Sequence, residues 1–292
     1  MRHHYVPEFL LKPWADGTPD GKVEVFRLDL ASLPSKRHTP KHTGFDENLY
    51  SLSKPIVAGM EQHAVETNFL RHVDNLAALV RRKLDEQGLK SLSMTERVDW
   101  VRFLMSLRVR QPDVVDLLKR ESECQMRTSL AAAPEEYEAV ASDGSPPTLT
   151  EWTDQRFPGL IENIGLSFFH GIVDNPEIGN KILHMKWWLW DFCDVDHGLI
   201  LADHPCIFTT GIDHPNLIVA LPISPSKAFI ATQNQSQHVA DVLRQINPKV
   251  LLARLNESSV GQAKIRIYSR GRSPERFIRN RLAKRAATSR TK

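Results

Sequence analysis

Residues 65–88 read VETNFLRHVDNLAALVRRKLDEQG, and this stretch decides the fold class. Val65, Phe69, Val73, Leu76, Leu79, Val80 and Leu84 recur at intervals of three and four, so they share one face of a helix. The helical pattern begins near Gly59, and Gly88 closes it. Ser93 with Glu96 spells a capping box, which opens a second helix carrying Val98, Val101, Phe103, Leu104 and Leu107. Pro112 breaks or kinks that helix, because proline lacks an N–H and its ring clashes with the preceding turn. Apolar periodicity resumes at Val114, and Leu160–Ile172 reads as a further buried helix. Between them, residues 131–150 are rich in Ala, Pro, Ser and acids and read as an exposed, mobile excursion.

On both sides of this helical middle the pattern changes. Upstream, Pro7 and Pro13 interrupt the apolar first fourteen residues. Lys22–Leu28 alternates polar and apolar as a half-buried strand does. Leu33–Gly44 reads as a surface loop and Asn48–Leu52 as a second short strand. Downstream of Asn180, the runs Trp187–Phe192, Leu199–Ala202, Ile207–Thr209, Ile218–Leu221 and Ala228–Ala231 are β-prone and punctuated by Gly and Pro. Ser236–Ile246 reads as a helix, and Asn247-Pro248 supplies the cap and first position of the next. Lys264–Tyr268 is a last strand-like stretch, and Ser273-Pro274-Glu275 opens a terminal helix. The fold class is therefore α+β, a helical middle region with short β-strands in the N-terminal and C-terminal parts.

The chain has 292 residues, 41% hydrophobic and 25% charged, an ordinary globular composition. One α+β domain over residues 1–269, followed by a basic tail over 270–292, accounts for it. No apolar run reaches the ~18 residues of a membrane span, and no apolar stretch follows Met1-Arg2-His3-His4 to make a signal peptide. Cys124, Cys193 and Cys206 are odd in number and without CxxC spacing, which predicts reduced thiols and a cytoplasmic protein. From Arg270 onward nine Lys and Arg face one acid, Glu275; that segment carries +8 and leaves −5 on the remainder of a chain of formal charge +3. Such a tail attracts phosphate backbones, or it is a frayed, solubilising terminus.

No Walker loop, dinucleotide fingerprint, HExxH, GxSxG or zinc spacing occurs. What remains is polar residues in apolar settings. His3 and His4 can supply a metal ligand and a general base near neutral pH, or they are incidental to a flexible terminus. Glu61 and Glu66 lie about 140° apart around a helix, whereas His63 and Glu66 share a face. Glu66 borders the apolar stripe and is either a site carboxylate or a surface acid. Arg108, Arg110 and Gln111 stand at the helix break, where a guanidinium fork grips phosphate or an internal carboxylate. Asp203-His204-Pro205 ends a buried run, a position for a ligand-binding carboxylate or for an Asx turn.

At these residues the chain resembles a bacterial family designated domain of unknown function 4238. The resemblance is carried by HHYVPEFLL at 3–11, residues 61–69, 108–112, Trp190, Ala202–Pro205, LPISP at 221–225 and Asn247. It covers most of the chain outside the tail and residues 131–150. Ala202 stands where the family has a serine, and His204 where it has an amide. The resemblance implies no activity; it points to His4, Glu66, Arg110 and Asp203 as parts of one site. The order of His3-His4, Asn48 and His63 is also similar to that of His-Asn-His endonucleases, with a longer gap and with His3 in place of an aspartate.

Two functions are expected from different classes. In the first, the protein is a metal-assisted hydrolase of a phosphodiester or phosphorylated substrate, such as a nuclease. His4 is the base and Arg110 steadies the phosphate. His3, Glu66 and Asp203 hold Mg2+ or Mn2+, and no organic cofactor is needed. The basic tail contacts nucleic acid, and His4→Ala and Asp203→Ala each abolish cleavage with the fold intact. In the second, it is a non-catalytic ligand- or partner-binding module whose Trp14, Trp100, Trp187, Trp188 and Trp190 line a pocket or surface. The first requires the four residues in one cleft; the second leaves them dispersed.

Overall fold

A computed structural model of the chain describes residues 1–30, 32–53, 61–193, 198–233 and 237–289. The N-terminal part holds β1 (Arg2–His4), α1 (Glu8–Ala15), β2 (Val23–Arg27), β3 (Ser35–His38) and β4 (Phe45–Glu47). Asn48–Leu52, expected as a strand, is instead a turn: Asn48 takes a positive φ of 58°, which no strand accommodates. The start of the first long helix near Gly59 lies outside the described residues. Its visible beginning is a π-helical turn, Val65–Leu70, which runs into α2 (Arg71–Gln87). Val73, Ala77, Val80 and Leu84 are its buried stripe; Leu79 faces solvent.

The helical middle continues with α3 (Met94–Val109), α4 (Pro112–Ala131), α5 (Pro134–Val140), α6 (Leu149–Arg156), α7 (Leu160–Val173) and α8 (Pro176–Leu183). The capping box forms as spelled: Glu96 N–H donates to Ser93 Oγ (3.2 Å) and Ser93 N–H to Glu96 Oε2 (2.7 Å). Lys83 adds two 2.9 Å bonds to the same carboxylate, tying α2 to α3 and holding its pKa at about 2. Pro112 does break the chain, sitting at the first position of α4 after Gln111 as cap. The excursion at 131–150 folds around α5, where the Tyr137 hydroxyl donates to the Pro146 carbonyl.

The C-terminal part holds β5 (Lys186–Asp191), β6 (Leu201–Ala202), β7 (Ile207–Phe208), β8 (Ile218–Pro222), β9 (Lys227–Thr232), α9 (Gln237–Gln245), α10 (Pro248–Gln262), β10 (Arg266–Ser269) and α11 (Glu275–Ser289). Asn247 caps α10, its Oδ1 accepting from Lys249 N–H at 2.9 Å. All pairings among the described strands are antiparallel, in three sheets: β1-β4, β3-β2-β10-β6 and β5-β9-β8-β7. The second sheet joins both ends of the sequence, with Phe26 opposite Ile267 and Ile267 opposite Ala202. The second sheet therefore draws strands from both sides of the helical middle, and the fold is α+β.

Trp14, Trp100, Phe103 and Phe229 anchor the main core. A smaller cluster packs Phe26, Ile200, Ala202, Val260 and Ile267 against Ile278 of α11. The basic segment beyond Arg270 is thus a docked helix through Ser289. Burying Ile278 completely gives it a tertiary anchor that charge counting cannot reveal. Arg281 pairs with Glu257 on α10, and Arg279 reaches the Ser32 carbonyl at 2.8 Å. Among the described residues no helix is long and apolar enough to cross a membrane. Cys124 and Cys193 are exposed, Cys206 is buried, and all three are free thiols.

Candidate functional site

The short strand β1 fixes the site. Tyr5 and Val6 N–H both donate to the Gly44 carbonyl (2.9 and 3.0 Å), which clamps β1 beside β4. Gly44 has φ +70°, and a Cβ there would stand 2.9 Å from the Val6 carbonyl, so only glycine fits. Successive strand residues face opposite ways, and His3 and His4 obey this rule.

His3 turns inward. It is completely buried, its ring stacks on Tyr50 with centroids 5.2 Å apart, and Tyr50 N–H donates to its Nδ1 at 2.9 Å. The ring proton therefore sits on Nε2, which donates to His63 Nδ1 at 3.2 Å. The Ser51 hydroxyl meets the same His63 nitrogen at 2.9 Å. Burial and the neighbouring His63 hold His3 down at about 4, so it stays neutral.

His4 turns toward β4 and α1. Its ring meets Phe45 edge-on at 5.5 Å, and its Nε2 lies 3.8 Å from Glu8 Oε1. That nitrogen is buried and has no hydrogen-bond partner. Burial lowers the His4 pKa, against the opposing pull of Glu8. Glu66, on the π-helical turn, accepts a hydrogen bond from the His4 backbone, and its Oε2 is buried without a partner. Burial pushes the Glu66 carboxyl up to about 7, with the Arg110 guanidinium opposing and Asp74 assisting. A π-helical turn is rare and recurs at functional sites, because the extra residue re-aims side chains out of the ladder.

Behind this pair lies a buried salt bridge. Arg110 is fully buried and forks onto Asp74 through Nη1 (3.1 Å) and Nη2 (2.8 Å). Its Nε donates to the Ser106 carbonyl at 3.3 Å and Nη2 to the Ser106 hydroxyl. The Tyr50 hydroxyl donates to the Arg110 carbonyl at 2.7 Å, joining this pair to the His3 side. The structure thus brings His3, His4, Glu66 and Arg110 into one polar cluster and adds Asp74, Tyr50, His63 and Ser51. The sequence signals only His63 among the added four. Asp74 gives no signal there, because no local pattern links it to a residue 36 positions away.

Asp203 stands elsewhere. Its Oδ1 accepts from Lys264 N–H (2.9 Å) and His204 N–H (3.0 Å), and its Oδ2 from Ile265 (2.6 Å) and Arg266 (2.9 Å). An ionised carboxylate has about four lone-pair sites, so these four donors leave none for a cation. The expected metal role is corrected here: Asp203 holds the turn between α10 and β10. Replacing it with Ala orphans three N–H groups of that turn. It lowers stability by about 2–4 kcal/mol, read as a shifted urea midpoint, instead of sparing the fold. A loss under ~1 kcal/mol would show that the carboxylate is not carrying these donors.

The other two expected ligands do not join it. Both ring nitrogens of His3 are engaged, and Glu66 alone offers a free oxygen. Among the described residues no three His, Cys, Asp or Glu side chains stand together as a metal site. His3, Glu66 and Asp203 therefore do not fit one divalent cation. Nor is Arg110 a free phosphate fork, since its guanidinium is committed to Asp74 and Ser106.

A cleft of about 700 Å³ opens beside β4, between it and the β2–β3 hairpin. Arg27, Lys36, His38, His42 and Arg266 line it with Asp46 and Glu47, and Phe45, the ring against His4, forms part of its wall. The exposed Arg2, on β1, covers the Phe45 ring at 4.7 Å. Trp14 and Trp100 are core residues, while Trp187, Trp188 and Trp190 are half-buried on the edge strand β5, where Arg97 and Lys186 cover the first two.

No curated protein and no solved structure matches this chain. The family model described as Protein of unknown function (DUF4238) matches residues 2–273, ending just before α11, and the chain belongs to that family.

Proposed function

We propose that the protein is a hydrolase of a phosphodiester or other phosphorylated substrate, with His4 and Glu66 carrying the proton transfers. The observation that carries this reading is two orphaned buried atoms, His4 Nε2 and Glu66 Oε2, on residues joined by the hydrogen bond from the His4 backbone to the Glu66 carboxyl group. A buried polar atom without a partner costs roughly 1–3 kcal/mol, and folds retain such groups where a ligand completes them. Environment also drives the two groups apart in the useful direction: His4 is biased toward the neutral base and Glu66 toward the protonated acid. In the proposed reaction His4 Nε2 takes a proton from water, whose oxygen attacks phosphorus. The P–O bond to the leaving group breaks as Glu66 delivers its proton to that oxygen. Arg110 and Asp74 do not touch substrate; their charges act on Glu66, the guanidinium favouring its ionised form and the carboxylate its protonated one.

Cations suit the anionic substrate. Arg71 is exposed and close enough to lower the Glu66 pKa, and the cleft beside Phe45 is lined with basic groups. Nucleic acid is the proposed case, with the basic face of α11 as a further contact for its backbone.

The test is cleavage of bis(p-nitrophenyl) phosphate and of labelled single-stranded DNA and RNA, each with Mg2+, with Mn2+ and with chelator. The wild type cleaves at least one. His4→Ala loses about 10²–10⁴-fold in rate and stays folded, with a lower melting temperature because the ring also gives up its contact with Phe45 and a hydrogen bond to the Lys41 backbone. Absence of turnover in the wild type, or full turnover in His4→Ala, would overturn the proposal.

A further inference from the structure

A second and larger hollow lies away from His4. It has a volume of about 1030 Å³ and is walled by α10, α11, the 224–227 turn and the ends of α1 and α2. Five cations line it, Arg81, Lys227, Lys249, Arg270 and Arg276, against two carboxylates, Asp16 and Asp85. Of the two acids, Asp85 is already paired, and Asp16 acts on Arg81 through its charge alone. Asp85 takes Lys227 Nζ at 3.0 Å and faces Arg81 at 3.7 Å, while the Asp85 carbonyl accepts from the same Lys227 at 2.6 Å. Arg81 Nε is buried and has no hydrogen-bond partner, and burial lowers the affinity of its guanidinium for the proton. Lys249 and Arg276 are exposed and form no ion pair among the described residues. Arg270 Nη2 donates to the Asp16 carbonyl at 3.1 Å.

The rest of the lining is of another kind. Leu199, Leu252, Pro225 and the half-buried Phe277 form an apolar floor, with hydroxyls of Ser224, Ser226 and Ser273 around it. A hollow of this volume is at the upper end of small-molecule sites, which run about 300–1,000 Å³. It is far larger than an inorganic anion needs. Excess cation, an apolar floor and one aromatic side chain together describe a ligand with an anionic head and an apolar or aromatic body.

From these features we infer that this hollow binds an organic phosphate of nucleotide size. The phosphate lies against Lys249, Arg270 and Arg276, and the body lies against Leu252 and Phe277. Lys249 and Arg276 have no ion pair among the described residues to break, so each gains its charge-assisted hydrogen bond in full on binding. The site is independent of the His4 cluster, sharing no residue with it. It is completed by α11, which lies beyond the residues matched by the family model.

The chemistry is shared by nucleoside phosphates and by lysophosphatidates, and two probes separate them. The intact protein is titrated with N-methylanthraniloyl-ADP, followed by probe fluorescence, and bound probe is then competed with unlabelled ADP, oleoyl lysophosphatidate or inorganic phosphate. Saturable binding that ADP displaces supports a nucleotide. Displacement by lysophosphatidate alone supports the same site with a lipid phosphate. Lys249→Glu with Arg276→Glu weakens binding about tenfold or more, and His4→Ala leaves it unchanged. Both cations are exposed, so the double variant folds. The inference is overturned if neither probe binds below about 1 mM, if inorganic phosphate competes as well as ADP, or if the double variant binds as the wild type does. Binding with no hydrolytic activity would sink the hydrolase and leave this site standing.

Discussion

Replacing Arg110 with alanine destabilises the protein by about 3–5 kcal/mol, the range for removing one partner of a buried ion pair. The magnitude follows from what is stranded. Asp74 loses both of its 2.8 and 3.1 Å bonds, and Ser106 loses the donors to its carbonyl and hydroxyl. Phe103 loses a cation 5.7 Å from its ring centre, and a cavity the size of a guanidinium opens at a completely buried position. Arg110→Lys is milder but not silent, because an ammonium cannot span both Asp74 oxygens and Ser106 at once. Chemical denaturation with a constant m-value is the measurement. Tm falls by roughly 6–20 °C if a kilocalorie is worth ~2–4 °C in a chain of this length. The substitution also removes the charge that opposes protonation of Glu66, so the Glu66 pKa moves above about 7. A stability loss under 1 kcal/mol would show that the Arg110–Asp74 fork is not the support of the cluster.

This pair also marks how far the sequence is readable. Local rules carry the elements: the Ser93–Glu96 box, the Pro112 break and the Asn247 cap each form with the partners the spacing demands. They carry less of the pairing. Nothing in Lys22–Leu28 or Lys264–Tyr268 says that these strands neighbour each other, since backbone hydrogen bonds are sequence-blind. The β2–β10 register is fixed by burial of Phe26 and Ile267 on one face. For the site, the position of Glu66 beside the apolar stripe is legible, but the π-helical turn is not, because one inserted residue leaves apolar spacing nearly intact. Asp203 misleads for a physical reason. A carboxylate after a buried strand serves a cation or a turn equally well, and only the positions of the 264–266 N–H groups decide between them. His3 and His4 look equivalent in sequence, and strand alternation alone makes one a structural acceptor and the other the candidate base.

Glu66→Gln separates catalysis from stability more sharply than any other change. Gln keeps an oxygen for the His4 backbone hydrogen bond but has no proton to deliver, so turnover falls about 10²–10⁴-fold. Stability moves the other way, and its pH dependence has a definite sign. Folding holds the Glu66 carboxyl at about 7, above its ordinary value of 4.5, so the folded state retains a proton that the unfolded chain releases. Stability is unaffected below about 4.5, falls as pH rises through the interval, and the full penalty is present above about 7. At 1.36 kcal/mol per pH unit the penalty is about 3 kcal/mol, and glutamine, which cannot ionise, is free of it. The variant is therefore more stable than the wild type at pH 8 and nearly equal to it at pH 4.5. Wild-type turnover follows the same group. It falls on the alkaline side of about 7 as Glu66 ionises, and on the acid side as His4 takes up a proton below its ordinary 6.5. A conventional surface glutamate would show neither effect, since its ionisation is the same in both states. Equal stability of Glu66→Gln and wild type at pH 8 would mean that Glu66 is solvated. The acid of the proposed reaction would then be gone, whatever the activity assay returned.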